Sequence, residues 1–425
     1  MLKFINISIE DFALLEKFLA SAGNSLETFR YFSKRKIDSI KNHKYTLLLI
    51  DENENPVAYG HLDYEDEIVW LGNCVAEKFR GKGLGQLVMR KLLNFARAQK
   101  ITCIRLSVDR ANTEAIRLYK KFGFKQIEEK EKFSFYEWQL FENPEILIST
   151  LAFSGKNSNE IISAAKSENL GIEFSSGLPY DENMESVFLN APLIKYAHNY
   201  FPAPKEAFVL NLASNDESIR RKSIEHCIKG IFLSHEIGAR FFSAHAGFCI
   251  DPSPSELGNP LTQRLIENRN KNWELFISSL KEIFQRTFWT NAQFLIENNV
   301  LAKMNLYEDG TNPLFCCDAE EMNRLINEMN EPRLGILLDT GHLKVSSKTL
   351  NFNIEEEYQK VKENIFGVHH SDNDGNFDTN EIFKDDYWFL KHMKEHAQLT
   401  HVIEVRKTNL IEIRGMIKLL QLSVI

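Results

Sequence analysis

The chain has 425 residues, more than one ordinary hydrophobic core organises, so two domains are expected. Hydrophobic residues make up 43% and charged residues 26%, a globular balance, and a formal net charge of −8 counts against nucleic acid as the main partner. No apolar run has the length of a membrane span, and Glu10 and Asp11 come too early for a secretory signal. The 6 cysteines show no CxxC or framework spacing, so a cytoplasmic chain with reduced thiols is expected.

Residues 1–142 read as an α/β domain. A helix over Ile9–Ala20 leads to strands at Tyr45–Ile50 and Pro56–Tyr64, joined by the turn-rich segment Asp51–Asn55, and to a third strand at Ile68–Val75. That strand runs into Arg80, Gly81, Lys82, Gly83, Leu84 and Gly85. A helix follows, with Leu87, Val88, Leu92, Leu93 and Phe95 at near-helical spacing. Strand, glycine-rich turn and helix in succession make an anion cradle. The glycines let the backbone approach, the first-turn amides have no intrahelical partner, and the helix dipole favours negative charge, so a pyrophosphate fits. Strand Ile104–Val108 then precedes Asn112, which can cap a helix that carries Tyr119 and ends at Gly123.

These segments resemble the GNAT acetyltransferases. The stretch Arg80–Gly85 fits their acetyl-CoA signature, and Asn112, Ala115, Tyr119, Gly123 and Phe124 fit their later one. The resemblance implies acetyl-CoA as cofactor, with the amides of Arg80 to Gly85 on the pyrophosphate, Val75 pairing with the pantetheine arm and Tyr119 protonating the departing thiolate. For the base, His61, Asp63 and Glu65 alternate along one strand and share a face; a solvated strand face is their plainer reading. Arg30, Tyr31 and Arg35 fall where GNAT enzymes place acceptor-binding residues, and the segment resembles those acting on nucleotide-linked amino sugars.

From residue 147 to 425 strands alternate with long helical stretches, the pattern of a parallel sheet built from βα units. Eight strands are expected, at Ile148–Phe153, Gly171–Phe174, Ile194–His198, Arg240–His245, Ala292–Glu297, Gly335–Asp339, Ile365–His369 and His401–Val405, which suits a (β/α)8 TIM barrel. His198, His245, Glu297, Asp339, His342, His369 and Glu404 all fall at or beside strand ends. A polar side chain at a buried strand tip is costly unless used, and parallel strand tips converge on one mouth, so a metal site is expected there.

The order of these motifs resembles the xylose-isomerase-like barrels, which include endonuclease IV and sugar epimerases. The resemblance implies one divalent ion, Mn²⁺, Mg²⁺ or Zn²⁺, held by Glu297, Asp339, His369 and Glu404. His370 is the rival of His369, since alternation turns only one of them inward, and the spacing to Asp372 favours His369. His198 and His245 match the histidines that hold a second zinc in endonuclease IV. A third zinc would need an Asp-x-His phrase where this chain has Asp378, Thr379 and Asn380, so His342 reads as a substrate contact. Together the halves imply a bifunctional enzyme of carbohydrate metabolism acting on small sugars. It would acetylate an amino sugar and isomerise or epimerise a sugar, with Glu297 and Glu404 exchanging protons with carbon. A dinuclear phosphoesterase and a non-catalytic sugar-sensing scaffold are the alternatives, and the oligomeric state is left open.

Overall fold

The computed structural model describes residues 2–424 except 100, 140–143, 154, 176, 263–267, 291 and 407. The chain forms two compact units, Met1–Glu142 with Glu395–Ala397, and Asn143–Lys394 with Gln398–Ile425.

In the first unit a seven-stranded sheet is built from β1 (Lys3–Asn6), β2 (His43–Ile50), β3 (Pro56–Glu65), β4 (Ile68–Val75), β5 (Cys103–Asp109), β6 (Lys125–Glu129) and β7 (Phe133–Gln139), in the order β1-β2-β3-β4-β5-β7-β6. Helix α1 (Phe12–Ser21) buries Leu15 and Phe18 on one face, with Phe18 stacked on Tyr59 of β3. The short helices α2 (Ser25–Thr28) and α3 (Tyr31–Lys34) follow it. The other face is covered by α4 (Leu84–Ala98), whose Val88 and Leu92 lie directly over Gly60 of β3, and by α5 (Thr113–Lys121), which contributes Tyr119 to the same core. Neighbouring strands pair antiparallel except β4 and β5, which run parallel and share only Val69–Ile104 and Trp70–Arg105. Beyond Trp70 these two strands part.

The second unit is an all-parallel barrel of β8 (Glu145–Ser149), β9 (Gly171–Phe174), β10 (Lys195–Ala197), β11 (Phe241–His245), β12 (Gln293–Glu297), β13 (Leu334–Asp339), β14 (Ile365–His370) and β15 (Thr400–Ile403). Its order is β10-β9-β8-β15-β14-β13-β12-β11. The ring closes between β10 and β11 at one parallel bridge, His198 to Ser243, where the Asn199 amide donates to the Ser243 carbonyl at 2.7 Å. The helices between and after the strands are α6 (Ser158–Ser167), α7 (Met184–Asn190), α8 (Glu217–Glu236), α9 (Arg269–Arg286), α10 (Ala319–Met329), α11 (Thr340–Leu350), α12 (Ile354–Val361), α13 (Met393–His396) and α14 (Leu410–Leu422). Among the described residues no helix is long and apolar enough to cross a membrane.

Two expected strands shift. The first barrel strand ends at Ser149, and Thr150–Phe153 turn into a 3-10 helix, because the pairing with β15 runs from Glu145 to Ile148 and the Ser149 hydroxyl accepts the Leu151 amide. The last strand ends at Ile403, so Glu404 stands just past its tip.

Candidate acetyl-transfer cavity and metal centre

Where β4 and β5 part, a cavity of about 600 Å³ opens between them, lined by Asn73, Cys74 and Val75 of β4, by Arg80, Gly81, Gly83, Leu84 and Gly85, and by Asp109, Asn112 and Tyr119. Val75 pairs with Ala58 of β3 on one side and has no β5 partner on the other, leaving its backbone free for an extended chain. Gly81 and Gly83 adopt φ of +75° and +76°, which side chains rarely tolerate, and so turn the loop into α4. Intrahelical bonding of α4 begins with the Gln86 amide on the Gly83 carbonyl, so the amides from Gly81 to Gly85 are available to an anion, whereas the Arg80 amide is taken by the Glu77 carbonyl at 3.2 Å. Arg80 is anchored by its Nε donating to Ser25 Oγ at 3.0 Å, whereas the Lys82 ammonium lies 5.1 Å from the Phe79 ring centroid. Asn112 caps α5 by accepting the Ala115 amide at 3.1 Å. Tyr119 is buried at the cavity wall, and burial pushes its phenol up.

The three strand residues expected as bases separate. His61 and Asp63 are buried, contrary to a solvated face, while Glu65 is exposed at the end of β3 and ion-paired to Arg35. None of the three is among the residues that line the cavity. His61 lies across Gly72 of β4, where a Cβ would come within 2.2 Å of its ring. Tyr31 has one hydroxyl proton, donated to Asp63 Oδ2 at 2.7 Å. Its oxygen therefore accepts from His43 Nε2 at 2.7 Å, and His43 Nδ1 accepts from Thr46 Oγ1 at 2.8 Å. Burial pulls His43 down to about 4, against the attraction of Asp63. Arg30 contacts Asp109 at 3.3 Å, on the rim of the cavity.

In the barrel, strand ends deliver the expected cluster to one mouth. Donor atoms of Glu297, Asp339, His369 and Glu404 all lie within 4.8 Å of one another, and so do those of His198, His245 and Glu297. His369 Nδ1 stands 2.6 Å from Glu404 Oε2 and 3.3 Å from Glu297 Oε1. His198 Nε2 and His245 Nδ1 approach the same Glu297 Oε2 at 3.2 and 3.3 Å. His342 Nε2 is 3.4 Å from Asp378 Oδ2, and its amide donates to Asp339 Oδ1 at 2.7 Å. His370 points away from the mouth, bonding Tyr387 and His401 on the outer side of the strands. A cavity of about 620 Å³ stands over the cluster, lined among others by His245, His342, Asp378, Asn380, Glu404 and Arg406.

The charges divide the cluster. Burial would lift Glu297, yet the His245 and His198 imidazoles hold its carboxyl well below the usual range. Asp339 is pushed up to about 7 by burial, with the carboxylates of Glu297, Asp378 and Glu404 adding to the effect. His369 and His342 are held well above the usual imidazole range despite burial, by Glu173 and Glu404 for the first and Asp339 and Asp378 for the second. Burial pulls His245 down to about 4.

A family model described as Xylose isomerase-like TIM barrel matches residues 116–407, more than half of the chain. The chain belongs to the xylose isomerase-like TIM barrel family. The Acetyltransferase (GNAT) family model matches residues 12–124, so a GNAT domain precedes the xylose isomerase-like barrel. A protein named Probable endonuclease 4 from Sulfurihydrogenibium sp. (strain YO3AOP1) is 27% identical over 159 residues, 37% of this chain and 48% of its own. Spermine/spermidine N(1)-acetyltransferase of Bacillus subtilis (strain 168) is 39% identical over 64 residues, 15% of this chain and 42% of its own. The chain thus spans about half the length, or less, of these curated relatives. A solved D-tagatose 3-epimerase-like protein superposes with a TM-score of 0.51 at 16% identity, over 66% of this chain and 97% of that one, a likeness of fold.

A divalent ion, which a xylose isomerase-like barrel implies, fits these residues. Both Glu297 carboxylate oxygens and Asp339 Oδ2 are buried without a hydrogen bond of good geometry among the described residues, a costly arrangement that a cation relieves. Sequence reasoning missed Glu173, which is buried on β9 and meets His369 Nε2 at 3.1 Å, and the contact of Asp378 with His342. An acidic residue inside the otherwise apolar strand Gly171–Phe174 was the available signal for the first.

Proposed function

We propose that the chain is a bifunctional cytoplasmic enzyme of carbohydrate metabolism. Its first domain transfers acetyl from acetyl-CoA to an amino sugar carried on a nucleotide or phosphate. Its barrel isomerises or epimerises a sugar with a divalent ion. The observation that carries the barrel reading is the convergence of Glu297, Asp339, His369 and Glu404 around buried carboxylate oxygens that, among the described residues, make no hydrogen bond of good geometry. A scaffold that only binds has no use for them.

In the first domain the amides from Gly81 to Gly85 hold the pyrophosphate, and the protonated Tyr119 phenol serves the leaving thiolate. Of the candidate bases, Asp63 and His61 are better supported than Glu65, since they belong to the buried polar cluster around Tyr31. Glu27, Asp109 and Glu114 line the cavity and favour an acceptor that arrives as a cationic amine. Arg30 and Tyr31 then act on the acceptor side. In the barrel, the ion when bound polarises adjacent substrate oxygens and makes the neighbouring C–H bonds acidic. Glu404, in the cavity wall, and Glu297, on a strand beyond β13 and β14, remove and return the carbon-bound proton. His342, fixed by Asp378, holds a substrate oxygen.

A second reading, a dinuclear phosphoesterase, has its own support: His198 and His245 meet one oxygen of Glu297, and a relative bears the name Probable endonuclease 4. Elemental analysis of purified wild type, His198→Ala and His245→Ala separates the readings. The isomerase reading expects one ion per chain in all three proteins. Two ions in wild type and one in each variant would favour the phosphoesterase, and none after reconstitution would leave the scaffold.

A further inference from the structure

Glu173 is fully buried, lies on β9 one residue short of the strand tip, and is absent from the residues lining the mouth cavity. It pairs along the sheet with Tyr196 of β10 and Ser149 of β8, yet its carboxylate crosses the barrel interior to His369 on β14, which lies beyond β8 and β15 in the strand order. Both of its oxygens stand 3.1 Å from His369 Nε2, and Oε2 has no hydrogen bond of good geometry. The opposite nitrogen, Nδ1, faces Glu404, Glu297 and Asp339 at 2.6, 3.3 and 3.9 Å.

We infer that Glu173 is a positioning residue behind His369: it accepts the Nε2–H of His369 and thereby commits the Nδ1 lone pair to the ion. A neutral imidazole has one N–H and one lone pair, so whichever nitrogen is given a fixed acceptor decides which nitrogen can ligate. An ionised carboxylate is the strongest such acceptor, and one set behind the ligand can turn the ring without entering the ion's coordination. Donor atoms of Glu173, His198 and His369 also lie within 4.8 Å of one another, so the rival role for Glu173 is that of a ligand to an ion. Glu173 stands outside the four-donor group of Glu297, Asp339, His369 and Glu404 and reaches His369 from the nitrogen opposite to theirs, which favours positioning.

The inference rests on the metal reading of the barrel, and wild-type protein that takes up no Mn²⁺ or Zn²⁺ would sink both before any variant is made. Given uptake, chelator competition on full-length wild type, Glu173→Ala and Glu173→Gln measures affinity, and elemental analysis measures stoichiometry. We expect Glu173→Ala to weaken the ion by about 10- to 100-fold, the cost typical of losing such an orienting partner. Glu173→Gln keeps a carbonyl for Nε2–H and should stay within a few-fold of wild type, and neither variant should change the number of ions bound at saturation. Unchanged affinity in Glu173→Ala, a glutamine variant as weak as the alanine one, or one ion fewer per chain would each overturn the assignment. Thermal unfolding of the metal-free proteins checks folding, and should Glu173→Ala fail to fold, a large affinity loss in the folded glutamine variant still refutes the idea.

Discussion

A phenol that is to protonate a leaving thiolate must hold its proton until the thiolate forms, and burial at the cavity wall keeps Tyr119 in that state. Tyr119→Phe should leave acetyl-CoA binding intact and slow acetyl transfer by roughly 10²–10⁴-fold, measured by single-turnover kinetics with calorimetric binding as control. A wild-type rate would remove Tyr119 from the chemistry. His43 gives a pH test. Unfolded, it takes up a proton near the ordinary imidazole value of 6.5; folded, only near 4. The unfolded chain therefore binds more protons between those values, so the stability from a neutral His43 is present above about pH 6.5 and is lost as pH falls towards 4. Its size is at most roughly 3 kcal/mol. Hydrogen-exchange protection of β2 and β3, corrected for intrinsic rates, should fall over that window in wild type and less in His43→Gln. At this scale the sequence displayed the ligands at strand tips, because tips are where polarity is conspicuous. It hid Glu173 and the Tyr31–His43–Asp63 chain, because partners separated by 196 and 32 positions meet only through the sheet.

Among the elements, the parting of β4 from β5 and the turn into α4 do the work of the first site. Gly83→Asp would put a Cβ where φ is +76° and a carboxylate beside the free amides of α4. We expect CoA affinity to drop by at least about tenfold by titration calorimetry, the equivalent of about 1.4 kcal/mol, which the backbone strain alone can supply. Undiminished affinity would take the pyrophosphate elsewhere. Strands with a buried apolar run were legible, and Gly171–Phe174 was read to the residue. β6 was not, since all five of its residues are exposed and leave no alternation to see. β7 escaped notice because Phe133 and Phe135 on one face mask the buried Ser134, Tyr136 and Trp138 on the other.

For the whole molecule, two ligand sites in two compact units predict separable responses. Acetyl-CoA and a divalent ion should each stabilise its own unit, by about 2.7 kcal/mol at a hundred times the dissociation constant. Asp339→Ala should abolish the increment from the ion and keep both the acetyl-CoA increment and acetyl transfer, read by differential scanning calorimetry and a transferase assay. Joint loss would mean a shared site or a fold defect. The order of the two domains was legible because each carries its own motif set, while the acceptor amine and the sugar were not, since cavity shape depends on loops that no spacing rule describes. One feature of the barrel reaches further. Among the described residues one backbone bridge pairs the two ends of the hoop, and His198, which makes it, also faces Glu297. Its other ring nitrogen, Nδ1, is tied to Ser243 Oγ at 2.9 Å on the far side of the gap. Spreading the hoop there would draw the His198 imidazole away from Glu297, so the closure of the ring and the charge balance at Glu297 depend on one side chain.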